Sequence, residues 1–188
     1  MLTGFARWPS VVVALGLSAI AGQALAADVY KGIAKFTAAD GKRASVPVTI
    51  SIDATTPDAD RVALAGKAKT NPAGAKGLLA SSKQLGYIEA IGHQVPIRYA
   101  NASPGGDGQI ITVISDEPLG FIGGDKKTAK PKEGFDLTYA MIAVDASGSG
   151  RGEMAPACKV KFMDSGAPAV EDYGKQVVWL DDVTKAAP

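Results

Sequence analysis

Cys158 and His93 are the only thiol and the only imidazole in the 188-residue chain. Brought together they would form a nucleophile and its base, because a neighbouring imidazole stabilises the thiolate. The residues around Cys158 argue for another role. Met154, Pro156, Cys158, Val160 and Phe162 share one strand parity, while Glu153, Lys159 and Lys161 occupy the other. Cys158 is therefore expected to point with the apolar set and act as a small core residue. One residue of each type also makes a zinc site of nitrogen and sulfur ligands unexpected.

The other nucleophiles and loops fit known chemistries poorly. No Gly-x-Ser-x-Gly elbow and no Ser-x-x-Lys occurs, so a serine hydrolase of those designs is not expected. Asp145 opens a run, DASGSG, that superficially looks like a calcium loop. An EF-hand needs acidic or amide ligands at its third and fifth positions and a glutamate at its twelfth; here stand Ser147, Ser149 and Pro156. A glycine-rich hairpin turn is the better account. Gly148, Gly150 and Gly152 precede a strand-like run, so no helix N-terminus would aim amides at a phosphate. No cofactor is expected.

Carboxylates are the remaining reactive groups, paired at Asp116-Glu117, Glu171-Asp172 and Asp181-Asp182. Two carboxyl groups facing each other across about 5 to 9.5 Å can hydrolyse glycosides. Sequence neighbours on a strand point to opposite faces, so a working pair would have to come from different loops. Solvated strand ends are the expected role.

The elements that would position these residues are mostly strands. Val46, Val48, Ile50 and Ile52 alternate with Ser45, Pro47, Thr49 and Ser51, the signature of a half-buried strand whose proline suits an edge. Asp28 to Ala38 is expected to pair with it through a turn at Asp40-Gly41. Thr56-Pro57-Asp58 reads as a helix start, with Thr56 as cap and Pro57 at the first helical position. Asn71-Pro72 ends that run, and Ala73 to Ser82 supplies a second short helix, weakened by Gly74 and Gly77. From Leu85 the segments 85–91, 95–100, 109–115, 135–145, 153–163 and 176–182 read as strands separated by turn residues. Ile110, Ile111, Val113 and Ile114 are apolar on both parities, which predicts a central strand covered on each face. The expected fold is mainly β: an antiparallel β-sandwich or barrel-like domain over residues 27–188, with a helical insertion around 56–82.

Residues 1–26 are expected to be a cleaved signal peptide. Arg7 is the positive n-region, Val11 to Ala21 the short apolar run, and Ala24-Leu25-Ala26 the cleavage site. That run is shorter than the roughly 20 apolar residues a bilayer span needs, so no integral membrane segment is expected after cleavage. The predicted location is periplasmic or secreted. The chain has 20 Lys+Arg and 19 Asp+Glu; without Arg7 the signs balance, which removes any net pull toward nucleic acid. A lone cysteine forbids an internal disulfide, so the core alone must hold the fold.

The segments LGYI at 85–88, IRYA at 97–100, IITVISDEPLGF at 110–121, FDL at 135–137, VDASGSG at 144–150 and EDY at 171–173 follow one order. That series resembles a group of secreted bacterial hypothetical proteins with no named activity. Members of that group have a strand ending in an Asp-Arg-Pro-like turn and a later Asp-x-x-Gly-x-Gly hairpin. Glu117 stands here in place of the arginine, so any charge-based role of that arginine is missing. The resemblance implies a β-rich extracytoplasmic fold and carries no catalytic residue across.

The resulting expectation is a non-enzymatic binding or envelope-associated module for an unidentified extracytoplasmic ligand or protein. Loops at one end of the fold, notably 116–134, would carry recognition. Arg98, Asp116, Glu117 and Phe121 are the candidate ligand contacts, and Lys126, Lys127, Lys130 and Lys132 form a nearby basic cluster. The alternative is a carboxylate-dependent hydrolase of cell-wall or extracellular polymers. A third reading is a subunit that pairs through the exposed edge of Val46 to Ile52.

Overall fold

A computed structural model describes residues 27–37, 41–71, 74–119, 133–163, 165–173 and 177–186. The expected leader, Phe121 and the four clustered lysines lie outside the described residues. The chain order is β1 (Asp28–Thr37), β2 (Arg43–Ile52), α1 (Asp58–Thr70), α2 (Ala75–Ala80), β3 (Gly86–Ala90), β4 (His93–Ile97), β5 (Tyr99–Gly105), β6 (Gly108–Ser115), β7 (Leu137–Val144), β8 (Ser149–Phe162), β9 (Pro168–Asp172) and β10 (Val178–Lys185). The strands form one antiparallel sheet in the order β4-β3-β2-β1-β10-β8-β7-β6-β5, with β9 beside β8 off that path.

The two ends of this sheet are consecutive pieces of chain. β4 pairs with β3, and β5 pairs with β6. At the junction the Ile97 carbonyl accepts from Leu85 N at 2.8 Å, and Arg98 N donates to the Ile114 carbonyl at 2.8 Å. Successive strand residues direct their backbone groups to opposite flanks, so residues 93–105 bridge both ends and nearly close the sheet into a barrel. Within the sheet, Gly86 lets β3 lie close against β2. Its φ of +145° is open to glycine, and a Cβ there would stand 2.0 Å from the Ser51 carbonyl oxygen.

Inward-facing side chains from strands all around the sheet fill the interior. Tyr30, Ala34, Ile50, Ile88, Val95, Ile97, Val113, Ile142, Met154 and Leu180 belong to this cluster. Each fully buried isoleucine or leucine contributes about 1.5–3 kcal/mol of transfer free energy. A second cluster lies outside the barrel, where Leu64, Ala65, Ala68 and Leu79 of the two helices cover Tyr99, Ile114, Tyr139, Cys158 and Phe162. The β6 strand is therefore covered on both faces, Val113 inside and Ile114 outside, as its double apolar parity predicts.

Three local expectations are revised. Met154 does not share a face with Cys158, Val160 and Phe162: it lies in the interior cluster and they lie in the outer one. A bulge explains the change, since Leu137 pairs with Cys158 while Tyr139 pairs with Ala155. One extra residue on β8 flips the parity. Next, β2 is an edge only in part. Val48 to Ile52 pair with β3, whereas Pro47 sits just beyond that ladder, with Ile33 of β1 opposite it. The proline is thus placed where no third strand asks for its missing N–H, and most of the segment read as a free pairing edge is already occupied. Finally, Thr56 does not cap α1. The N-cap position is Pro57, without a side-chain cap bond, and Thr56 instead exchanges bonds with Ala100. Its N–H donates to the Ala100 carbonyl at 2.7 Å and its hydroxyl accepts from Ala100 N at 3.0 Å. This anchors the helix start to β5. Asp58 and Asp60 in the first turn and Lys67 and Lys69 in the last complement the helix dipole.

Candidate functional site

Arg98 stands at the seam where the chain passes from β4 to β5. Ile97 faces the interior, so strand alternation sends the Arg98 side chain outward, toward the helices. Its Nε donates to Asp116 Oδ1 at 3.0 Å, and a terminal nitrogen donates to the Ser82 carbonyl at 3.2 Å. The Arg98 side chain is 22% exposed and that of Asp116 only 9%. Such a pair is largely shielded from water, and each partner depends on the other for charge compensation. Two of the predicted site residues therefore meet in one clamp. It ties the end of β6 to the chain just after α2.

Asp116 is held by the turn that follows β6. The Ser115 hydroxyl accepts from Glu117 N at 3.0 Å. Thr138 on β7, fully buried, accepts from Leu119 N at 2.6 Å and faces the carbonyls of Glu117 and Pro156 at 2.9 and 3.1 Å. A hydroxyl has one proton, so those carbonyls share it. Leu119 is thereby pressed into the interior cluster, and the Glu117 side chain is left exposed at the surface.

Between α1, the end of α2 and the seam lies a cleft of about 460 Å³. Leu64, Leu78 and Leu85 form apolar parts of its lining, and Asp60, Lys67, Lys83 and Arg98 bring charge to it. With Arg98 compensated by Asp116, the two lysines outweigh Asp60. The cleft therefore combines an apolar lining with net positive charge, a composition suited to orienting a small ligand. Lys67, Ser82 and Lys83 were not legible as site residues, because α1, the end of α2 and the chain entering β3 come together around Arg98 only when the helices pack on the barrel.

The other candidates lie apart from this cleft. Cys158 is buried in the outer cluster, and burial pushes its thiol up to about 12; His93 is exposed at the start of β4. The DASGSG run is a hairpin turn in which Asp145 Oδ1 accepts from Ser147 N at 2.8 Å, Ser147 Oγ at 2.6 Å and Ser149 N at 3.1 Å. Those bonds favour the charged carboxylate and hold its pKa below the usual range. Asp181 pairs with Lys35 at 2.8 Å. Glu171 and Asp172 close β9 on the exposed surface. Among the described residues no group of three or more histidine, cysteine or acidic side chains is placed to hold a metal, and no helix is long and apolar enough to cross a membrane. No family model, curated protein or solved structure matches this chain.

Proposed function

We propose that the chain acts outside the cytoplasm as a non-enzymatic binding module, taking a small anionic ligand with an apolar body into the helix–barrel cleft. The observation that carries this reading is the composition of that cleft: leucines in its wall, Lys67 and Lys83 at hand, and Asp60 as the one carboxylate among its described lining residues. A lone carboxylate beside two ammonium groups suits ligand capture better than the paired-carboxylate chemistry of a glycan hydrolase. The leader-like residues 1–26 support the location, and the resemblance to secreted bacterial proteins is consistent with it.

Saturation-transfer NMR with benzoate, 3-phenylpropionate and octanoate tests the cleft. Transfer to at least one of these, abolished in the Lys67→Glu/Lys83→Glu variant, is the expected result. Absence of transfer from all three, or equal transfer in the variant, refutes it. Intact-mass analysis of the exported protein should place the new N-terminus at Ala27.

A further inference from the structure

Among the described residues, Trp179 is the one aromatic side chain among the exposed large hydrophobics. It lies in β10 between inward-facing Val178 and Leu180, and it is 60% exposed. Strand pairing surrounds it with polar groups. Lys35 of β1 is directly opposite Trp179, Ser45 of β2 is directly opposite Lys35, and Arg43 is opposite Thr37 one step along the same face. Trp179, Lys35, Thr37, Arg43, Ser45 and Asp181 all border one shallow concavity of about 590 Å³, which shares no residue with the helix–barrel cleft.

The chemistry of this shelf is specific. Lys35 Nζ and Asp181 Oδ2 meet at 2.8 Å and neutralise each other, while Arg43 makes no ion pair among the described residues. One large aromatic face is thus ringed by hydroxyl, ammonium, carboxylate and guanidinium groups, and among the described residues that border the shelf Trp179 is the one large apolar side chain left exposed. A hydrophobic protein partner or an acyl chain would need a wider apolar patch. A flat ligand with one face of C–H groups and an edge of hydroxyls matches it better. The apolar face stacks on the indole, and the edge exchanges hydrogen bonds with the surrounding groups. From Trp179 across β1 to Ser45 is two inter-strand spacings, roughly 10 Å, a span suited to two linked sugar rings. We infer that this shelf is a glycan-binding site in which Trp179 stacks on a pyranose ring and Arg43 and Ser45 engage the neighbouring sugar.

The chain has two tryptophans, Trp8 and Trp179, so Trp179 is the only indole reporter once the leader is removed, and Trp8→Phe makes it so in the uncleaved chain. Titration with cellohexaose, chitohexaose and hexagalacturonate should shift its emission to the blue with at least one of the three. Binding of the acidic oligomer alone would support a carboxylate contact at Arg43; binding of a neutral one would show that stacking and hydroxyl contacts suffice. By calorimetry, Trp179→Ala should weaken the interaction at least about tenfold without lowering the thermal midpoint, since the side chain is mostly in solvent. No emission change with any of the three at millimolar concentration overturns the inference. Undiminished affinity in Trp179→Ala does so too. A blue shift that depends on protein concentration without sugar would mean that a second copy covers the indole, which also overturns it. Substitutions at Lys67 and Lys83 should leave this titration unchanged, so the shelf and the cleft stand or fall separately.

Discussion

Arg98→Ala should uncouple the helical pair from the barrel seam. The substitution removes two hydrogen bonds, one to Asp116 Oδ1 and one to the Ser82 carbonyl. It leaves the Asp116 carboxylate, 9% exposed, without its compensating charge. Breaking a fully buried pair costs about 3–5 kcal/mol. Solvent reaches Arg98 in part, so roughly 2–4 kcal/mol is expected here, a fall in Tm of roughly 4–16 °C for a chain of this size. Differential scanning calorimetry measures the loss directly. The double variant Arg98→Met/Asp116→Leu removes the stranded charge and should recover about half of that loss, giving a non-additive cycle between contacting residues. Hydrogen exchange should also show faster opening around Ser82 in the single variant. A single variant that melts with the wild type, or a double variant that loses the sum of both singles, would refute the clamp.

Ile91 and Gly92 both have positive φ, +53° and +67°, in the hairpin joining β3 to β4. A β-branched residue is costly there, and Ile91 is 47% exposed, so Ile91→Asn should raise stability by about 1 kcal/mol, seen as a higher midpoint in urea. Burial raises the Cys158 thiol from 9.0 to about 12 and the Tyr139 hydroxyl from 10.0 to about 12. The folded state then holds protons that the unfolded chain releases, so stability present below pH 9 should decline between pH 9 and 12, as urea denaturation across that range would show. At neutral pH, Cys158 should react with Ellman's reagent only on unfolding; prompt labelling of the native protein would contradict its placement beneath the helices.

Much of the fold was written in side-chain alternation. The period of two over 45–52 and the double apolar parity over 110–114 correspond to β2 and β6. Thr56-Pro57 and Asn71-Pro72 bracket α1, because proline geometry and missing N–H groups act locally. The short β9 was not legible: Pro-Ala-Val-Glu-Asp has little intrinsic strand preference and is a strand because the far half of β8 offers it a partner. Trp179 carried a usable signal, since inward-facing Val178 and Leu180 on either side require it to point out.

Local patterning thus determined most of the strand segments, the two short helices between residues 56 and 82, and that Cys158 belongs with apolar neighbours. Tertiary structure alone decided that Arg98 and Asp116 form one clamp, that a bulge in β8 sends Met154 inward while Cys158 faces out, and that a cleft opens beside the seam. Alternation and capping are properties of a few consecutive residues. Ring closure, bulge placement and ion pairing depend on which distant strands become neighbours, and that is settled only when the whole sheet curls around its core.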